Sequence, residues 1–226
     1  MALSIGDEVI QRHKLAPREH AHLVLPWVDS LLAEAGIKLH ELDAIAVGRG
    51  PGSFTGLRIG VGVAQGLALG ADLPIILVSS LQIIAQTAYA QLHSEKILVA
   101  QDARMNEVYW AAYSCDETGL MKATIDEQLR LPAAVELPEG KDSWSLVGDA
   151  WNVYSQLLGE RLKAIQYQPS NDIVPKAEIL SQIAAGLFTQ KRFVSPENAM
   201  PIYLRGKGAW IRDGKGKAGK GANLEI

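Results

Sequence analysis

Eight glycines fall between Val47 and Gly70, and this stretch constrains the fold more than any other. A short apolar run, Ala44 to Val47, reads as a buried strand entering it. A glycine-rich turn follows, and then a segment of almost entirely small or aliphatic residues. Ser53 or Thr55 is positioned to cap a helix there by accepting a backbone N–H that would otherwise lack a partner. That helix must hold Gly60, Gly62 and Gly66 in its interior, each costing about 1 kcal/mol relative to Ala. What glycine offers in return is close approach. Gly56 and Gly60 lie four apart, as do Gly62, Gly66 and Gly70, so each series stacks along one side of the helix. Such spacing is common in membrane helices, but Arg58 and Gln65 interrupt the segment and it reads as too short to span a bilayer. A helix packed closely on a sheet or on another helix is expected. Internal packing and a partner surface both remain open.

The length of 226 residues suffices for one large or two small domains with a substantial core. Apolar residues make up 48% and charged residues 21%, an ordinary globular balance. A net charge of −3 argues against a protein that grips nucleic acid alone through a broad basic face. Cys115 is the single cysteine, which excludes an internal disulfide and a cysteine-based zinc site and fits a reducing compartment. No basic-then-apolar leader opens the chain. A soluble, cytoplasmic protein without a membrane span is the expectation.

In chain order, Ala2 to Ile5 and Glu8 to Leu15 read as strands joined by a Gly6-Asp7 turn. From Pro17 the pattern is helical, with Val24, Trp27, Val28, Leu31, Leu32 and Ala35 at spacings of three and four, and Gly36 as a stop. Pro26 should start the body of this helix or kink it. After Gly70, Pro74 ends the glycine helix, Ile75 to Val78 makes another buried strand, and Ser79 or Ser80 caps a helix from Leu81 to about Leu92. Strand, helix, strand, helix with apolar strands predicts an α/β layer with parallel pairing. A second unit then opens with a hairpin, Lys96 to Gln101 and Glu107 to Ser114. A third strand follows the Asp116–Gly119 turn, and Trp144 to Val147 gives a fourth. Helices are expected over Ala150 to Leu158 and Lys176 to Gln190, and a Gly- and Lys-rich tail beyond Arg212. The expected units are 1–94, 95–205 and a C-terminal segment 206–226.

Candidate chemistry is thin. Gly48 to Thr55 could cradle a phosphate at a helix N-terminus. It lacks the lysine of a Walker loop and the spacing of a dinucleotide loop, and Pro51 removes one N–H, so a structural turn is the better reading. His20 and His22 stand two apart rather than at the four-residue spacing of a zinc-binding helix. Asp102-Ala103-Arg104 at a strand end could bind a ligand or pair internally with the turn backbone. The tail lysines Lys207, Lys215, Lys217 and Lys220, with Arg205 and Arg212, could touch RNA phosphates but read more simply as a solvated tail. No serine–histidine–acid or cysteine–histidine set has positional support. Neither a catalytic residue, a metal site nor a cofactor is expected.

Four motifs, in order along the chain, are similar to those of the bacterial TsaB (YeaZ) family, in its proteobacterial wording. They are Pro17-Arg18-Glu19-His20, the run from Gly48 to Arg58, Asp102-Ala103-Arg104 with Glu107-Val108-Tyr109, and Pro201-Ile202-Tyr203-Leu204-Arg205. The resemblance implies a two-lobed, actin/Hsp70/sugar-kinase-like (ribonuclease H-like) α/β fold. It also implies a non-catalytic scaffold in the formation of tRNA threonylcarbamoyladenosine, acting with the catalytic relative TsaD and the ATPase TsaE. In that reaction a threonylcarbamoyl group reaches the adenosine 3′ of the anticodon in tRNAs reading A-starting codons. Heterodimerisation with TsaD, and homodimerisation in isolation, would use two N-terminal helices, about Arg18 to Ala35 and Thr55 to Gly70. The implied contacts are Arg18, His22, Leu25, Asp29 and Leu32 on the first helix. On the second they are Thr55, Arg58, Ile59, Gly62, Val63, Gly66 and Leu69. Transfer RNA would be met only as part of the complex. The family usually carries one further strand ahead of the position of Met1, in the middle of the first sheet, so that sheet is expected to be incomplete here. Alternatives from the enzyme class are a metallopeptidase-like or an ATP-binding member of the same superfamily.

Overall fold

The sequence pattern of an apolar strand, a helix and a second apolar strand becomes one right-sized α/β crossover in the computed structural model, which describes residues 1–14, 20–140, 142–170 and 173–205. Strand β3 (Ile45–Gly50) runs parallel to β4 (Ile75–Ser79), and helix α2 (Phe54–Ala71) connects them. Ahead of this unit, β1 (Ala2–Ile5) and β2 (Glu8–Gln11) form an antiparallel hairpin around Gly6, whose φ is +56°. Helix α1 (His20–Ala35) follows and ends at Gly36, φ +68°, where Ile37 N–H returns to the Leu32 carbonyl at 3.1 Å. That is the close expected of a glycine placed just past a helix. Helix α3 (Ser80–Leu92) is capped by Ser79, whose Oγ accepts from Leu81 N and Gln82 N at 3.1 Å each.

The second half is a five-stranded mixed sheet. Its strands are β5 (Lys96–Asp102), β6 (Val108–Cys115), β7 (Met121–Arg130), β8 (Ser143–Val147) and β9 (Gln166–Ser170), in the order β7-β6-β5-β8-β9. Pairing is antiparallel from β7 to β5 and parallel from β5 to β9. Period-two alternation gives the sheet two apolar faces. Leu98, Trp110 and Leu146 pack with Leu158 and Leu162 of helix α4 (Ala150–Leu162). Ile97, Val99, Ala111 and Val147 pack on the other side with Leu81, Ile84 and Ala88 of α3.

The last helix, α5 (Ala177–Thr189), joins the smaller sheets. Its Ile179, Ile183 and Ala184 cover Ile76 and Val78 of β4, while Val61, Ala64 and Ala68 of α2 cover Ile75 from the opposite side. It also packs on β1 and β2, and Gln11 Nε2 donates to Glu178 Oε2 at 2.9 Å. Sandwiched alike between α2 and α5, β3 and β4 differ in burial. Ile75, Ile76 and Val78 are buried, whereas Ile45, Ala46 and Val47 are each half-exposed. The cause is the edge of β3 away from β4, which has no strand partner among the described residues. Among the described residues these four strands form two separate pairs, β1–β2 and β3–β4.

Several boundaries differ from those expected. Strand β2 stops at Gln11; Leu15 lies outside the described residues, as do the expected helix positions Pro17 and Arg18. Helix α1 begins at His20 and continues through Pro26 instead of starting there. Strand β3 runs through Gly48 to Gly50, so the turn is confined to Pro51 and Gly52. Helix α4 extends to Leu162 across an interruption at Tyr154, φ −122°. Strand β9 was not expected, because its polar Gln166-Tyr167-Gln168-Pro169-Ser170 reads as a loop; as an edge strand it tolerates Pro169. Finally, α2 at 18 residues does reach the length and composition of a membrane span, contrary to expectation. Here it forms one layer of the α/β sandwich, its buried stripe spent on β3 and β4.

Candidate partner interface

The start of α2 is fixed by a turn that only glycine allows. Gly50 has φ +97°, and a Cβ there would meet Leu57 Cδ1 at 2.8 Å and the Ile202 carbonyl at 3.3 Å. Ile202 N–H donates to the Arg49 carbonyl at 2.8 Å, and Ser53 Oγ accepts from Gly56 N at 3.4 Å. The glycine loop is therefore packed under the segment Pro201–Arg205 as a structural turn.

Helix α2 then presents two different sides. At about 100° per residue, the buried Val61, Ala64 and Ala68 lie opposite the positions Thr55, Ile59, Gly62, Gly66 and Leu69. A Cβ added at Gly62, Gly66 or Gly70 meets nothing within 4 Å. Gly60 alone in the helix interior touches a strand, with Val47 Cγ2 at 3.8 Å from its added Cβ. The stripe Gly62–Gly66–Gly70 is thus not packed against any of the described residues. Around it Leu69 is 74% exposed, Thr55, Arg58, Gly62 and Gly66 are exposed, and Ile59 and Val63 are half-exposed. On α1, His22, Leu25 and Asp29 are exposed and Leu32 is half-exposed. Arg18 lies outside the described residues. Helix α1 packs on β1 and α2 on β3 and β4. The expected contacts therefore form one continuous face on α2 and a second, separately supported face on α1.

Polar side chains tie α2 to the rest of the molecule. The Arg58 guanidinium lies 3.9 Å above the Phe54 ring, and its Nε donates to Tyr203 OH at 3.1 Å. Gln65 Nε2 donates to the Pro196 carbonyl at 2.9 Å. These two residues, which interrupt the apolar run in the sequence, both bind the last described segment. At the end of β3, Arg49 Nη2 stands 3.5 Å from Glu127 Oε2 of β7, beside Ser79 and Tyr113. Burial raises the Glu127 carboxyl above its ordinary value, against the opposing pull of the Ser79 hydroxyl and Arg49. Burial likewise raises Tyr113. This buried polar cluster escaped sequence reasoning, since its four members come from four distant strands.

The remaining motifs resolve into internal contacts. Asp102 Oδ1 accepts from Arg104 N at 2.8 Å and from Tyr154 OH at 3.1 Å, and Oδ2 pairs with Arg104 Nη1 at 2.9 Å. Arg104, Met105 and Asn106 all adopt positive φ, between 56° and 61°. Arg205 holds this tight tip, with Nη2 donating to the Ala103 carbonyl at 2.9 Å. That Arg205 clamps the β5–β6 turn was not read from the sequence, although both motifs were visible. Asp116 accepts from Thr118 N and Leu120 N and pairs with Lys122 at 2.7 Å, which holds its carboxyl well below the usual range, the Lys122 contact contributing most. Among the described residues, no three His, Cys, Asp or Glu are grouped so as to hold a metal ion.

Comparison with known proteins places this geometry in a family. A family model described as TsaD, tRNA N6-adenosine threonylcarbamoyltransferase, matches residues 7–211. The tRNA threonylcarbamoyladenosine biosynthesis protein TsaB of Escherichia coli is 41% identical, over 91% of this chain and 89% of that protein. The Bacillus subtilis protein of the same name is 33% identical, over 95% and 94% of the two chains. The solved structure of YeaZ from Pseudomonas aeruginosa superposes with a TM-score of 0.81 at 38% identity, covering 90% of this chain and 92% of that one. A second Pseudomonas aeruginosa structure, described as similar to the peptidase YeaZ, gives 0.82 at 38% identity, over 90% and 93%. Its sheets and helices are those of the actin-like α/β fold shared by these structures, and the chain belongs to the TsaB (YeaZ) family, within the wider group that the TsaD model describes.

Proposed function

We propose that this chain serves tRNA threonylcarbamoyladenosine formation as a non-catalytic scaffold, docking TsaD through α1 and α2. The observation that carries the reading is the open glycine stripe Gly62–Gly66–Gly70 on an apolar helix whose opposite side is already packed. Glycines that cost helix stability and touch none of the described residues suit the close approach of another helix. Residues 1–94 would form the docking unit. TsaE would join the assembled pair, transfer RNA would be met there, and the same face would support a homodimer when TsaD is absent. The setting would be the cytoplasm, where tRNA is modified.

The test is to mix the purified chain with TsaD and measure the mass of the mixture by light scattering. A complex at micromolar concentration is expected, lost in Gly66→Leu while the circular dichroism spectrum is kept. Absence of any complex with the unaltered chain would overturn the reading. The word peptidase in the description of one Pseudomonas aeruginosa structure supplies the competing, enzymatic reading. Hydrolysis of an unfolded casein substrate by the purified chain, lost on chelation, would favour it instead.

A further inference from the structure

Where the segment Pro201–Arg205 crosses the start of α2, two aromatic rings remain at the surface. Phe54 is 48% and Tyr203 44% exposed, with ring centroids 5.5 Å apart. Arg58 lies against Phe54 and is held by Tyr203 OH, so its remaining N–H donors are pre-oriented. Among the described residues Arg58 has no carboxylate partner. Two residues along from Tyr203, Arg205 grips the β5–β6 tip, from which the Arg104 side chain projects, 86% exposed. The sequence continues from this corner into residues 206–226, which carry five Lys or Arg against two Asp or Glu in a chain that is acidic overall. Arg58 thus stands beside flat rings with free surface, and Arg104, paired at its base with Asp102, projects nearby.

We propose that the corner formed by Phe54, Arg58 and Tyr203, with Arg104 beside it, binds single-stranded RNA. An unstacked base lies on the exposed aromatic surface, and the flanking phosphates take Arg58 and Arg104. Arginine, tyrosine and phenylalanine also make protein contacts, but an arginine with no carboxylate partner among the described residues, held against two exposed rings, favours a polyanion with bases to stack. The proposal rests on the reading of this chain as part of tRNA modification and adds a contact with the nucleic acid to it.

The probe is a fluorescein-labelled RNA hairpin with a single-stranded loop, titrated by fluorescence anisotropy with the full chain, alone and mixed with TsaD. Phe54→Ala with Tyr203→Ala should weaken binding about tenfold or more. Arg58→Ala should weaken it and lower the salt slope by about one between roughly 50 and 200 mM salt. Phe54→Leu with Tyr203→Leu keeps apolar filling if the alanine variant fails to fold, and should show the same loss. Unchanged affinity in these variants overturns the proposal. So does failure of both the chain and its mixture with TsaD to bind the hairpin. Loss of TsaD association with RNA affinity retained would assign the corner to the protein partner, again overturning it. Failure of the unaltered chain to associate with TsaD would instead sink the scaffold reading, and the RNA titration of the chain alone still decides this one.

Discussion

Arg205 Nη2 lies 2.7 Å from Glu107 Oε2 across the root of the β5–β6 hairpin, and the same nitrogen donates to the Ala103 carbonyl. One planar fork thus closes the turn whose tip holds three consecutive residues at positive φ. Arg205→Met keeps the aliphatic stem and removes the fork, and is expected to cost about 2 kcal/mol. Arg205→Lys should recover only part of this, since an ammonium does not reproduce the fork. Urea unfolding followed by tryptophan fluorescence measures both.

The glycines of α2 make opposite predictions for folding and for assembly. Gly62→Ala with Gly66→Ala places methyl groups in open space and raises helix propensity, so the isolated chain should gain about 1 kcal/mol or more. Association with TsaD should weaken in the same variant, because the partner backbone is held off. Thermal unfolding and light scattering on one preparation test the pair of outcomes. A loss of stability would mean that the stripe packs internally after all.

Gly148 is the contrasting case. Its φ is +109°, and an added Cβ would sit 2.2 Å from the Ala100 carbonyl oxygen. Gly148→Ala must move β5 from β8 in the buried centre of the five-stranded sheet, costing at least about 3 kcal/mol. Low soluble yield and a lower urea midpoint are the expected readouts.

Glu127 predicts a pH dependence. Burial raises its carboxyl above the ordinary 4.5, so the folded state prefers the protonated form. Its contribution is complete below pH 4.5 and is lost as the pH rises through the folded value. Glu127→Gln should therefore melt higher than the unaltered chain at neutral pH, with the difference vanishing below 4.5. Arg49→Met removes the opposing charge and should steepen the decline. Melting curves across this range check both.

The parts of the fold legible in the sequence were those written in local pattern. The apolar run at Ile75, the cap at Ser79 and the stop at Gly36 each carry their cause within a few residues. The glycine spacing at Gly62 and Gly66 announced a close approach, but whether it was met inside the chain depended on what packs against α2 from elsewhere. Strand β9 was missed because edge position, not composition, makes Gln166–Ser170 a strand. The contacts Arg49–Glu127 and Arg205–Ala103 span 78 and 102 residues, and a charged side chain carries no periodicity that reveals so distant a partner.

The divided first sheet bears on how the chain is made as well as on how it stands. The β1–β2 hairpin lacks a ladder to β3, and a lone hairpin is marginal in water. Helix α1 packs on β1 early, but the larger part of the hairpin's cover comes from α5, with Gln11 and Glu178 separated by 167 residues. At roughly 5 to 20 residues per second on the ribosome, the hairpin waits on the order of 8 to 30 s for that cover. During the wait, the apolar and unguarded edge of β3 is also open to other nascent chains. Yield in a cell should therefore respond to chaperone supply more steeply than the stability of the finished fold would suggest.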